Sequence, residues 1–81
     1  MFNNRTQDGR NNIAGIKVAA LRKALKISQR EVADRLQLIG LDIDKNAVQR
    51  IESGQRFVTD IELISLAKVF SVTIDDLLTR D

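Results

Sequence analysis

Three capping boxes divide this chain into helices. Each box pairs a hydroxyl residue with an acid three positions later, and the boxes lie at Ser28–Glu31, Thr59–Glu62 and Thr73–Asp76. In such a box the hydroxyl accepts from an unpaired amide of the first helical turn, and the acid reaches back to the cap. The chain has no proline and lacks the alternation and β-branched runs that are typical of strands. The pattern therefore predicts an all-α fold.

Five helices are predicted from these caps and from the apolar periodicity between them. Asp44 is a further N-cap candidate, and Gly54 provides a natural helix end. The predicted helices cover Gly15–Lys26, Gln29–Leu38, Lys45–Ser53, Asp60–Phe70 and Ile74–Thr79. The apolar face of the first contains Val18, Leu21 and Leu25. Residues 1–12 show no such periodicity and are expected to be mobile, which leaves one domain over residues 13–81.

Composition excludes most catalytic and metal-binding classes. The 81 residues include no cysteine and no histidine, so disulfides, zinc fingers and the commonest general base are absent. A small enzyme would need paired carboxylates, but Asp75 and Asp76 are adjacent and point to different helical faces. We therefore predict a protein that is not an enzyme and has no cofactor, metal or small-molecule site. No apolar run approaches the roughly 18 residues that span a bilayer, and we expect a cytoplasmic protein without membrane contact.

Charge is distributed unevenly along the chain. Residues 1–58 carry eleven Lys and Arg against six Asp and Glu, whereas residues 59–81 carry two against five. A basic N-terminal region of this kind suits a polyanionic partner. A solvated charged surface would produce the same count, so charge alone leaves both interpretations open.

The third predicted helix separates apolar from polar residues most clearly. On a helical wheel Ala47, Val48 and Ile51 share one side. The opposite side and its edges carry Lys45, Asn46, Gln49, Arg50 and Ser53. Arg and Lys donate to guanine, and Asn and Gln form paired hydrogen bonds with adenine. The composition of this face fits either base reading or an ordinary exposed surface.

Three segments together resemble one known family. They are IKVAALRKALKISQREVADRL, NAVQRIESGQR and DIELISLAKVFSVTIDDLL, in that order between Ile16 and Leu78. They are similar to the Cro/lambda-repressor-like, or XRE, family of helix-turn-helix DNA-binding domains. The resemblance implies a five-helix domain that binds double-stranded DNA of a specific sequence and regulates transcription. We expect the protein to act as a repressor.

The resemblance also implies roles for individual residues. Base-reading positions of the family correspond to Lys45, Asn46, Gln49 and Arg50. Phosphate-contacting positions correspond to Gln29, Gln55 and Arg56. An ion pair between the first helix and the I-E-x-G segment corresponds to Arg22 and Glu52. The residues themselves leave alternatives open, since Gln29 is also a good helix former and Arg56 is also typical of a solvated loop.

Two features allow further expectations. The Leu38–Ile43 insertion makes the connection between the second and third helices about five residues longer than the simple turn, and we expect Leu41 and Ile43 to anchor it. The fourth helix is apolar almost all round, so either the fifth helix or a second copy of the chain must cover it. We expect a homodimer through the fourth and fifth helices. A protein-interaction adaptor or antitoxin-like module of the same fold is the alternative function.

Overall fold

Five α-helices form the architecture of residues 5–79, the range that the computed structural model describes. The helices are α1 (Ala14–Ala24), α2 (Gln29–Leu38), α3 (Lys45–Ser53), α4 (Asp60–Phe70) and α5 (Ile74–Leu78). No strand occurs in that range, so the predicted all-α class is confirmed. None of these helices combines the length and the apolar character that crossing a membrane requires.

Local capping explains where four of the helices begin. The side chains that accept from the amide three residues ahead belong to Ser28, Asp44, Thr59 and Thr73. Glu62 and Asp76 return a bond to the amide of their cap and complete two boxes. Glu31 instead accepts from Arg35 at 3.0 Å, so the first box is only half formed. The helix starts were therefore predictable because their determinants are neighbours in the chain.

The end of α1 differs from the prediction by two residues. Lys26 adopts a positive φ of 58°, which terminates the helix, and the Ile27 amide donates back to the carbonyl of Arg22. Leu25 consequently follows the helix and is 51% exposed, although the wheel predicted an inward position.

The core lies between all five helices. Its fully buried large side chains are Val18, Val32, Leu36, Val48, Ile51, Leu66 and Leu77. The connection between α2 and α3 covers residues 39–44, so it is about two or three residues longer than a simple turn and not about five. It is anchored as expected, because Ile43 is buried and Leu41 packs against the core. The side-chain amide of Gln37 also donates to the carbonyl of Ile43 at 2.9 Å. This packing fixes the chain immediately before α3.

Residues 11 and 12 are bonded to the helical domain that follows them. The Asn12 side chain is buried, and its carbonyl oxygen accepts from the amide of Gly15 at 2.7 Å. The amide of Asn11 donates to the carbonyl of Gly54 at 2.7 Å. These bonds attach the segment through polar side chains and backbone groups, which apolar periodicity does not report. The mobility that was expected for residues 1–4 lies outside the described residues.

The start of α1 lies directly on the end of α3. A Cβ atom at Gly15 would stand 1.9 Å from the carbonyl oxygen of Ile51, closer than any real contact. Glycine is therefore required at this crossing, where the two backbones touch. The contact places α3 in a fixed position against α1.

Candidate nucleic-acid interface

The outer face of α3 is polar and exposed. Its exposed side chains are Lys45, Asn46, Gln49, Arg50 and Ser53. The inner face contains Val48 and Ile51, both fully buried, and the half-buried Ala47. In the part of the chain that the structure describes, no hydrogen bond or ion pair engages the side chains of the four predicted base readers, Lys45, Asn46, Gln49 and Arg50. These donors and acceptors are therefore available to an external partner.

An ion pair between α1 and α3 fixes the direction of this face. Arg22 donates from Nε to Glu52 Oε2 at 2.7 Å and from Nη2 to Oε1 at 3.1 Å. The side chains are only 16% and 8% exposed. These hydrogen bonds raise the pKa of the Arg22 guanidinium, against the opposing effect of burial. The structure thus contains the pair that the resemblance implied, and its bidentate geometry restricts rotation of α3.

Gln29 joins the same network from the start of α2. Its Nε2 donates to Glu52 Oε1 at 3.0 Å, which leaves the second hydrogen of that amide for another acceptor. An open depression in front of it is lined by Arg22, Ser28, Gln29, Arg30 and Lys45. Cationic side chains beside a helix N-terminus suit a phosphate group. In residues 5–79, no group of three or more acids forms a set of metal ligands.

Arg56 has a partner that the sequence pattern around it does not indicate. Its Nη1 and Nη2 donate to Glu62 Oε1 and Oε2 at 2.8 and 2.9 Å. Glu62 is only 7% exposed and also accepts from the amide of Thr59. The capping box predicted the bond to Thr59, but no periodic pattern connects Arg56 to Glu62. The neighbouring Gln55 is exposed and lies in the loop after α3.

This pair predicts a specific sensitivity to acid. The hydrogen bonds from Arg56 are the main reason why the pKa of Glu62 lies below its ordinary value. A carboxyl group of this kind stabilises the fold above its unfolded pKa of about 4.3. That contribution is lost as the pH falls through the lowered pKa of the folded state. We expect thermal melts below about pH 5 to show a steeper loss of stability for the wild type than for Glu62→Gln.

The control for this measurement is Asp60→Asn, which changes an exposed acid of the same helical turn. Its melting curve should follow the acid dependence of the wild type. Parallel curves for the wild type and Glu62→Gln would show that Glu62 does not stabilise the fold through its charge.

Comparison with known proteins agrees with the fold. The family model HTH_3, Helix-turn-helix, matches residues 18–77, and no curated protein matches the chain. Among solved structures, the chain is similar to the crystal structure of the restriction-modification controller protein C.AhdI from Aeromonas hydrophila. That likeness has a TM-score of 0.69 and 26% identity, and it covers 79% of this chain and 89% of C.AhdI.

The family match spans most of the chain, and the structural likeness covers the same arrangement of helices. The chain therefore belongs to the helix-turn-helix family. It is a DNA-binding regulator of transcription, as the resemblance predicted.

Proposed function

We propose that the chain reads a specific duplex sequence in the major groove with the first turns of α3. Asn46 and Gln49 can each form a pair of hydrogen bonds with adenine, one donated and one accepted. Lys45 and Arg50 supply donors for guanine. The observation that carries this assignment is the outer face of α3, whose reading side chains are exposed and have no partner in residues 5–79. The helix is short enough to enter the groove by its N-terminal end.

Contacts with phosphate hold the domain in register on the duplex. We assign them to Gln29, through its remaining amide hydrogen and the cationic depression, and to the exposed Gln55. The resemblance also implied a phosphate contact for Arg56. Both terminal nitrogens of Arg56 donate to Glu62, but Nε and the second hydrogen of Nη2 remain for a phosphate oxygen. We therefore assign Arg56 both to holding the loop in place and to a phosphate contact.

A second copy of the chain completes the proposed binding unit. The outer side of α4 and α5 exposes the apolar side chains of Ile61, Ile64, Ile74 and Leu78, with Ile61 68% exposed. Thus α5 covers only part of α4. One module of this size buries only about 600–1,000 Å² on DNA, so two modules on two half-sites give the tighter binding that regulation needs.

The proposed biological role is control of transcription in the cytoplasm. The similar protein C.AhdI is a restriction-modification controller. We propose a corresponding regulatory role here, as a repressor that occupies its operator as a symmetric dimer. A two-fold symmetric protein predicts two half-sites with inverted symmetry.

Selection from a random duplex library tests this function and yields the sequence for the next measurement. On the selected duplex, Asn46→Ala and Gln49→Ala should each weaken binding by about 1–3 kcal/mol and relax the preference at particular base pairs. Titrations on single-base variants of the duplex measure both effects. Gln7→Ala removes the same polar side chain as Gln49→Ala, at an exposed position outside α3, and should leave binding unchanged.

Two results would count against this proposal. If both α3 variants keep the base preferences of the wild type, α3 is not the reader, and the Leu41–Asp44 loop becomes the first candidate. If the wild type selects no sequence and its retention on duplex DNA does not fall with salt, the adaptor or antitoxin-like function replaces DNA reading.

A further inference from the structure

A short polar segment before α1 bonds to the end of the reading helix. We call residues Arg10–Asn12 the strap. They precede the 18–77 region that the family match covers. We propose that the strap is a positioning element for DNA binding: it fixes the last turn of α3 and the Gln55 loop so that Gln55 meets the DNA backbone. This inference rests on the proposed function and adds residues that neither the family match nor the sequence motifs include.

Arg10 binds the open end of α3. Its Nη2 donates to the carbonyl of Glu52 at 2.9 Å and approaches that of Ile51 at 3.4 Å. Its Nε donates to the carbonyl of Asn12 at 3.2 Å, which keeps the guanidinium in place. Carbonyls in the last turn of a helix have no partner within the helix, and a cation there also interacts favourably with the helix dipole. Arg10 therefore caps α3 from outside the helix.

Asn12 connects α1, α3 and the following loop. Its Nδ2 donates to the carbonyl of Ile51 at 3.1 Å and to that of Arg56 at 2.7 Å. Its Oδ1 accepts from the amide of Gly15. One buried side chain thus holds the positions of three backbone segments relative to one another.

Asn11 holds the loop that carries the proposed phosphate contact. Its backbone amide donates to the carbonyl of Gly54, and its Nδ2 donates to the carbonyl of Gln55 at 2.9 Å. Gly54 has a φ of 85°, and a Cβ atom there would lie 2.9 Å from the Arg10 side chain. The turn that presents Gln55 is therefore shaped against the strap, and every residue of 51–56 except Ser53 bonds to the strap through its carbonyl.

One atom of the strap is expected to lower the stability of the fold. The Oδ1 of Asn11 is buried and has no hydrogen-bond partner within residues 5–79. Such acceptors are few in native proteins, because leaving one unpaired is destabilising. Stability alone therefore does not explain asparagine at this position. The hydrogen bond from Asn11 Nδ2 to the Gln55 carbonyl explains the asparagine, because this bond determines the position of the loop relative to α3.

Asn11→Ala tests the proposal on the selected duplex. We expect binding to weaken about fivefold, the equivalent of one hydrogen bond. The dependence of log K on log salt should stay as in the wild type, because Gln55 is neutral and its phosphate contact releases no counterion. In a Gln55→Ala background, Asn11→Ala should not weaken binding further, because the contact that it positions is already absent. The base preferences should stay as in the wild type, because α3 keeps its outer face. The melting temperature should change little, since the substitution also removes the unpaired Oδ1.

Arg10 provides a second variant pair. Arg10→Ala should weaken binding in the same way, and Arg10→Lys should recover part of the affinity because an ammonium group can still donate to the carbonyl of Glu52. Gln7→Ala is the control, since it removes an exposed polar side chain of the same segment outside the strap. All titrations are made well below the melting temperature of each variant.

The outcomes separate this inference from the proposed function. Wild-type affinity in both Asn11→Ala and Arg10→Ala would overturn the strap proposal and leave DNA reading by α3 intact. Weaker binding that only follows a loss of folded protein would also overturn it, as would an undiminished effect of Asn11→Ala in the Gln55→Ala background. Absence of duplex binding by the wild type would instead remove the proposed function, and the strap proposal with it.

Discussion

Replacing Glu52 with alanine is expected to lower the free energy of unfolding by about 3–5 kcal/mol, because the guanidinium of Arg22 would remain partly buried without its counter-charge. The two side chains are 16% and 8% exposed, and the contact is bidentate. Gln29 would also lose its acceptor at Glu52. Urea denaturation of the wild type and Glu52→Ala measures the difference.

The matched control is Glu31→Ala. It breaks the pair with Arg35, whose side chains are 41% and 45% exposed, and exposed pairs contribute only about 0–1 kcal/mol. The double variant Arg22→Ala with Glu52→Ala should be more stable than the sum of the single losses predicts, because the two residues interact directly. Equal losses for Glu52→Ala and Glu31→Ala would show that the inner pair does not hold α3.

Charging the exposed side of α4 is expected to weaken binding to a two-half-site duplex by roughly 10²–10⁴-fold. The change is Ile61→Glu together with Ile64→Glu, at side chains that are 68% and 46% exposed. Carboxylates in an apolar interface between two copies would be desolvated and would repel each other, so the dimer should separate. Sedimentation measures the mass in solution, and titration measures the affinity.

The control is Leu38→Glu, which charges an 86% exposed leucine at the end of α2 and should leave the mass in solution unchanged. The α4 variant should still bind a single half-site as tightly as a wild-type monomer does, because α3 is not altered. A wild type that is monomeric both at high concentration and on the two-half-site duplex would contradict the dimer. An α4 variant that remains dimeric would place the interface elsewhere.

Local patterns accounted for most of the fold. The starts of α2 to α5 follow from side chains that bond to an amide three residues away, and such contacts can be read directly from the sequence. The end of α1 was harder to predict from the sequence, because it depends on the positive φ of Lys26. Non-glycine residues rarely adopt this conformation.

The parts of the candidate site that depend on nearby residues in the chain could be predicted from the sequence. The exposed face of α3 follows from helical periodicity, and the Arg22–Glu52 pair followed from the resemblance. The strap and the Arg56–Glu62 pair were missed for physical reasons. Arg10 is far from Glu52 in the chain, and its partners are backbone carbonyls, which every residue possesses. Hydrogen bonds from side chains to distant backbone carbonyls do not alter composition or apolar periodicity, so these patterns do not predict them.

The contacts that hold α3 in the domain and the side chains proposed to read DNA lie on different faces of the helix. This separation affects how such a protein can change its target sequence. Inner residues and carbonyls hold the helix, whereas Asn46 and Gln49 stand on the other side without partners in the described chain. Substitutions at these outer positions can therefore alter the chosen operator while the unfolding free energy stays nearly constant. Descendants of one ancestor can acquire new target sequences in a few steps on the same scaffold, and a designer can retarget the domain by diversifying the outer face alone.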